Sequence, residues 1–491
     1  MDSPPPADLP PASSGRRART WLLAGLAALL LALAGGWWMQ QRAEHSALPD
    51  GPVRVAVLPV ENATGESRYD WARLGLMEAL TETLRSQVPV VPPGDVFDLT
   101  EALQALPPDE RNARLRQAHG ATHLVSASLS RGPGQLRLDF DVAGPEGTLR
   151  RRRVVAPDVP ALARAAAADL GVSLGQSGDT APLIEDSFAN EAYLRGLALR
   201  MQGDMPGAQR YFQLALEQAP DAFWPRLQLA NGLLELGDIA TAREQLEMLL
   251  AEADQGGDTL QRLSARNQLA TLHWRAGDNA LARPLLEQAL ALARELGDPD
   301  AEVSVLSRLG ILETYSESFA AARGHLTAAI EVQRRTGMET PSPELRHSQG
   351  QLALREGDLV SASAHIEAAV AGFRLQGNRR SEAVALNSLA NLRRRQGWFE
   401  EARDLAQETV SLHRALRNPT SEVAALIALS TSQAQLGDLE TASETAREAL
   451  ALATELKQDR GRRPPRRCWG NTAWTWAAMR MRGVTSRRPW N

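Results

Sequence analysis

The 491-residue sequence predicts a mainly α-helical chain, in which a solenoid of stacked helical hairpins follows one membrane-spanning helix and a small α/β domain. Three observations lead there. A short turn mark recurs at spacings of 34 and then 40 residues from Gly203 to Gly437, residues 21–39 carry no charge, and strand-like runs lie between residues 51 and 178.

In chain order, residues 1–20 are rich in Pro and Ser and end in Arg16-Arg17-Ala18-Arg19-Thr20, a composition that buries no core. Trp21 to Met39 then reads WLLAGLAALLLALAGGWWM. Nineteen helical residues rise about 28 Å, close to the ~30 Å hydrocarbon core of a bilayer. Trp21 at one end and Trp37-Trp38 at the other suit the two membrane interfaces. The arginines before the run place residues 1–20 in the cytoplasm and the bulk of the chain in the periplasm, with a single pass through a bacterial inner membrane. A cleavable signal peptide is the alternative, because Ala32-Leu33-Ala34 meets the small-residue cleavage rule.

The α/β domain, residues 51–178, opens on Val53-Arg54-Val55-Ala56-Val57-Leu58-Pro59-Val60, a run suited to a strand buried on both faces. A helix is expected from Trp71 to Leu84 and a second short strand from Val88 to Val91. Leu124 to Leu129, the alternating Leu136, Leu138, Phe140 and Val142, and Thr148 to Val155 then predict an antiparallel meander with one wet face. An Ala-rich helix from Val159 to Leu170 closes the unit, and Gly171 to Thr180 reads as linker. The string Val55-Ala56-Val57-Leu58-Pro59-Val60-Glu61-Asn62-Ala63-Thr64-Gly65, with Trp71-Ala72 and Ala121-Thr122-His123-Leu124-Val125 after it, resembles the TolB-type N-terminal domain found before helical repeats in transmembrane transcriptional regulators of the CadC kind. That resemblance implies the sensor half of a signalling protein. The winged-helix DNA-binding half is missing from this chain, which leaves no room for it before residue 21.

From residue 187 to 456 the marks fall at Gly203, Gly237, Gly277, Glu317, Gly357, Gly397 and Gly437, about seven repeats. Five residues after each comes Ala: Ala208, Ala242, Ala282, Ala322, Ala362, Ala402 and Ala442, where two helices cross too closely for a larger side chain. Phe212, Leu246, Leu286, Leu326 and Ile366, four residues further on, are expected to fill the space between hairpins. These positions resemble the tetratricopeptide motif, and the 40-residue spacing is similar to the longer arrays of kinesin light chains and bacterial regulators.

That resemblance implies a concave groove lined by the first helix of each hairpin, with a protein or peptide partner in it. Stepping by 40 along one first-helix position gives Asn267, Ser307, His347 and Asn387, between Leu227 and Ile427. An amide there donates to and accepts from a peptide backbone at once. Asn391 belongs to the same candidate groove, and Arg355 with Arg393, Arg394 and Arg395 is a candidate basic patch for an acidic partner. A solvated polar row is the competing explanation of both.

Composition removes most chemistry. Among 54 basic residues only Lys457 is a lysine, and it lies outside any P-loop, kinase or Schiff-base setting. The single Cys468 makes neither an internal disulfide nor a thiolate zinc site. Gly171-Val172-Ser173-Leu174-Gly175 matches a hydrolase string, but a helix precedes it where the nucleophile elbow requires a strand. His119 and His123 lack a neighbouring carboxylate cluster. No enzyme activity, cofactor, metal or direct nucleic-acid contact is therefore expected. Residues 460–491 hold nine Arg, four Trp and no acid, which reads as an irregular basic tail or a shifted reading frame.

Overall fold

The computed structural model describes residues 53–459, apart from residues 86–87, 146–148, 175–183, 237, 257, 339 and 417. The expected arm, membrane span and basic tail lie outside the described residues. Among the described residues no helix is long and apolar enough to cross a membrane.

In the α/β part, β1 (Val55–Val57) and β2 (Glu61–Asn62) both run parallel to β3 (His123–Gly132), which continues antiparallel through β4 (Gln135–Ala143) to β5 (Leu149–Ala156). The alternation read from the sequence governs the meander. Leu136, Leu138, Phe140 and Val142 are buried, while Asp139 and Asp141 stand opposite Arg153 and Arg151 on the outer face and pair with them at 2.5 and 3.0 Å. The buried face is covered by α1 (Ala72–Arg85), with Leu76, Met77 and Leu80 fully buried, and by α4 (Val159–Ser173), with Leu162 and Leu170 fully buried. Helices α2 (Pro93–Ala102) and α3 (Pro108–His119) lie between α1 and β3 in the chain.

Two local expectations change. Val88 to Val91 is no strand; Val90 makes only an isolated parallel bridge to Val55, because Pro89 and Pro92 remove the donors that a longer ladder needs. Helix α4 continues through Ser173, so the hydrolase-like string begins inside a helix and has no strand to form an elbow.

The array consists of seven hairpins: α5 (Ser187–Met201) with α6 (Met205–Gln218), α7 (Phe223–Leu236) with α8 (Ile239–Gly256), α9 (Thr259–Ala276) with α10 (Asn279–Leu296), α11 (Pro299–Tyr315) with α12 (Phe319–Arg335), α13 (Pro343–Glu356) with α14 (Leu359–Gln376), α15 (Arg379–Gln396) with α16 (Phe399–Ala415), and α17 (Pro419–Gln435) with α18 (Leu439–Asp459). The Gly-Asp mark is a stop and a start placed side by side. Gly277, Gly357 and Gly397 end first helices in the left-handed conformation, while Asp204 and Asp358 cap second helices by accepting from Gly207 N and Ser361 N. The Ala five residues on is buried at all seven crossings, and Phe212, Leu246, Leu286, Leu326 and Ile366 are buried between helices.

Glu317 takes the glycine's place in the fourth hairpin and its backbone too, at φ 61°, the one non-glycine with positive φ among the described residues. An L-residue there costs about 1 kcal/mol or more, and its exposed side chain offers no compensating contact. Glu317→Gly is therefore expected to stabilise the chain by about 1 kcal/mol. A raised urea midpoint at unchanged slope checks this.

The two parts are not separate beads on a linker. The described residues of 52–171 and those after 177 form one compact unit. Helix α1 packs along α5, where the Arg195 guanidinium lies 4.9 Å from the centre of the Trp71 ring and Glu78 pairs with Arg200 at 3.6 Å. Further along, three loops between hairpins meet the same α/β domain at positions 40 residues apart. Next to Asp298, Asp300 pairs with Arg54 at 2.9 Å; Met338 lies over Gly120; and Asn378 donates to Asp95 at 3.3 Å. Beside it Gly377 approaches the α2 backbone so closely that a Cβ would stand 3.1 Å from Leu99 Cα.

Candidate functional site

Successive first helices touch one another, α7 with α9, α11 with α13, α13 with α15 and α15 with α17, while successive second helices make no comparable contact. First helices therefore form the inner, tighter wall of the solenoid, as expected for a concave face. The row position of the first hairpin is Tyr193, and it is covered: it is buried, and burial, with Glu82 and Glu78 of α1 adding to it and Arg200 opposing, pushes its phenol above its ordinary range. The α/β domain thus closes the start of the inner wall.

From α9 onward the predicted row is present at one level of the wall. Asn267, Ser307, His347 and Asn387 are all half-buried. Their partners differ. Ser307 Oγ lies 3.3 Å from Ser348 Oγ, and His347 Nε2 lies 3.0 Å from Ser388 Oγ, which also accepts from Gln351. Burial pushes the His347 imidazole down to about 4, so it is neutral across the physiological range. Asn267 and Asn387 have no side-chain hydrogen bond, and their carbonyl oxygens are buried. Asn391 donates to the backbone carbonyl of Asn387 at 3.2 Å.

Sequence reasoning missed a third such amide, Asn231 of α7, also buried at its carbonyl oxygen without a partner. It stands four residues after the row position Leu227, one helical turn away on the same face. Stepping by 40 from it leads through Thr271 and Gln351 to Asn391, so the repeat spacing held the signal.

Of the candidate basic patch, one arginine turns inward. Arg393 is only 6% exposed and belongs to the packing between helices: it pairs with Glu367 and with Glu401, donates to Ser363, and lies 4.8 Å from the centre of the Trp398 ring. Three consecutive arginines on a helix point about 100° apart, so they cannot share one face. Arg394 donates to Asn391 at 3.3 Å, and Arg395 is exposed and donates to the Leu354 carbonyl at 3.2 Å. Arg355 is exposed on the inner wall, its guanidinium 4.6 Å from the centre of the Tyr315 ring. His119 and His123 are buried in the α/β domain; burial and the nearby Arg54 push His119 down to about 4.

A tetratricopeptide repeat family model matches residues 221–295, 261–335 and 381–455. No curated protein matches the chain. Among solved structures, BtubC (BKLC) from P. vanneervenii is 19% identical, covering 48% of this chain and 94% of its own at a TM-score of 0.36. The apo form of RapI is 9% identical, covering 55% and 99% at 0.44. The Rap conjugation gene regulator of plasmid pLS20, in complex with the Phr* peptide, is 11% identical, covering 55% and 75% at 0.44.

Proposed function

On the premise that the chain carries tetratricopeptide repeats, we propose that it binds a protein or peptide partner along the inner wall of the array, as a non-enzymatic scaffold or sensor. The observation that carries this reading is the set of unengaged amides. Asn231, Asn267 and Asn387 share one wall, and none is held by a neighbour. Half-buried amides in folded proteins are nearly always hydrogen-bonded, and an extended peptide backbone supplies both a donor and an acceptor to each.

The uncharged run at residues 21–39 supports a membrane anchor that leaves this wall in the periplasm. A photo-crosslinking residue placed at Ser307 in the full chain, in membranes, tests the reading. An adduct that is lost in Asn267→Ala/Asn387→Ala supports it; the same adduct in both forms, or none in either, discards it.

The CadC-like reading makes the same wall the receiver of a signal and keeps its basis in the Val55–Gly65 string. Reading the gene upstream of Met1 tests it: an in-frame winged helix supports the regulator, and a stop codon sinks it.

A further inference from the structure

We infer that the inner wall holds a specific anchor for an acidic peptide segment, built from Arg308, Tyr315, Trp274 and Arg355. This rests on the peptide-binding reading above and names the chemistry of the partner.

Arg308 lies near the middle of α11 and is half-buried in the wall. Its hydrogen bond is to Thr271 Oγ1 of α9, and no carboxylate among the described residues lies within ion-pair distance of it. Burial pulls its pKa below the usual arginine range, and the positive charge of Arg275 pulls it the same way. A half-buried guanidinium whose hydrogen bond goes to a hydroxyl keeps its charge uncompensated until an anion joins it. Several other arginines of the array are paired internally. Arg283, Arg294, Arg374, Arg393 and Arg414 each pair with a glutamate.

Seven residues on, and so on the same face of α11, Tyr315 is 44% exposed. Its ring meets that of Trp274, 39% exposed, edge to face with centroids 6.2 Å apart, and Arg355 lies over the same Tyr315 ring. Arg355 likewise has no carboxylate partner among the described residues. Two exposed aromatic rings flanked by cations lacking an anion are complementary to an apolar side chain beside a carboxylate. The distance sets the spacing. Seven helical residues span about 10.5 Å, which an extended peptide covers in about three residues. The occupant is therefore an extended segment with Asp or Glu about three positions from an apolar or aromatic residue.

Panning random ten-residue peptides against the full chain in detergent tests this. Enrichment of an acid three positions from a large apolar residue is the expected result. Enrichment of peptides without an acid, captured in an Asn267-dependent way, overturns the anchor and leaves the groove reading standing. Failure to enrich any peptide overturns both. For an enriched fluorescein-labelled peptide, Arg308→Gln is expected to weaken binding at least tenfold. Changing the peptide's Glu to Gln should weaken binding to the same degree in the original chain and cause no further loss in Arg308→Gln. Independent, additive losses overturn the assignment, and an unchanged helical circular dichroism spectrum shows that the variant is folded.

Discussion

Arg283→Met is expected to destabilise the array by about 2–3 kcal/mol, below the range for a fully buried ion pair because the Arg283 side chain is 40% exposed. The glutamate left behind, Glu313, is 1% exposed in α11, between fully buried Leu312 and Thr314. Both of its oxygens are met by Arg283 of α10, one in an ion pair and the other accepting from NH2 at 2.9 Å. Without the guanidinium, either a carboxylate stays ionised in an apolar seam or the hairpin opens to hydrate it. Arg283→Met/Glu313→Leu should recover most of the loss, because two apolar residues need no compensation there. Urea midpoints of the three proteins check this. A single variant as stable as the original, or a double variant as weak as the single, refutes the account.

Raising the pH from 5 to 8 is expected to loosen the contact between the α/β domain and the array by a few kcal/mol in order of magnitude. Two carboxyls lie at that junction, Glu78 buried and Asp95 half-buried. Burial pushes Glu78 up to about 7, with Glu82 adding to the rise and Arg200 and Arg85 opposing it. Burial likewise pushes Asp95 up to about 7, helped by Glu344 and Asp98 and opposed by Arg54. A carboxyl whose pKa is higher in the packed state favours packing fully below its ordinary value near 4, and that contribution is lost as pH rises through 7. The ion pair of Arg54 with Asp300 keeps the junction from depending on these two groups alone. Amide exchange in α1 and in the loop around Asn378, corrected for intrinsic rates, should slow on acidification. Glu78→Gln/Asp95→Asn should abolish the difference; protection that is independent of pH in the original chain refutes it.

The repeat architecture was legible because a small residue recurs at all seven crossings, with a left-handed glycine and a capping Asp at several of the turns before them. Even the departure at Glu317 could be placed by counting, and its backbone follows the count. The junction was not legible. Arg54 and Asp300, or Asp95 and Asn378, are more than 240 residues apart, and nothing local in either segment marks the other.

The inward turn of Arg393 was not legible for a related reason: adjacency in sequence does not fix adjacency on a helix surface. A usable signal existed in the pairing pattern. Arg294, Arg374, Arg393 and Arg414 each have a Glu eight residues later, across the loop, and each pairs with it at 2.6–2.8 Å. Arg308 and Arg355 have Ser316 and Ser363 at that distance, and neither has a carboxylate partner among the described residues.

The three loops seated on the α/β domain change what kind of object the array is. A free solenoid behaves mechanically as a coil spring, since each turn touches only its neighbours and either end can fray alone. Here one body grips α5 at the start of the coil and the loops around Asp298, Met338 and Asn378 further along, so the spring is clasped between two of its turns. Bending or stretching the intervening hairpins then loads the clasp, and the two hairpins after the Asn378 loop, α15 with α16 and α17 with α18, lie beyond every gripped loop as the part of the coil left to flex.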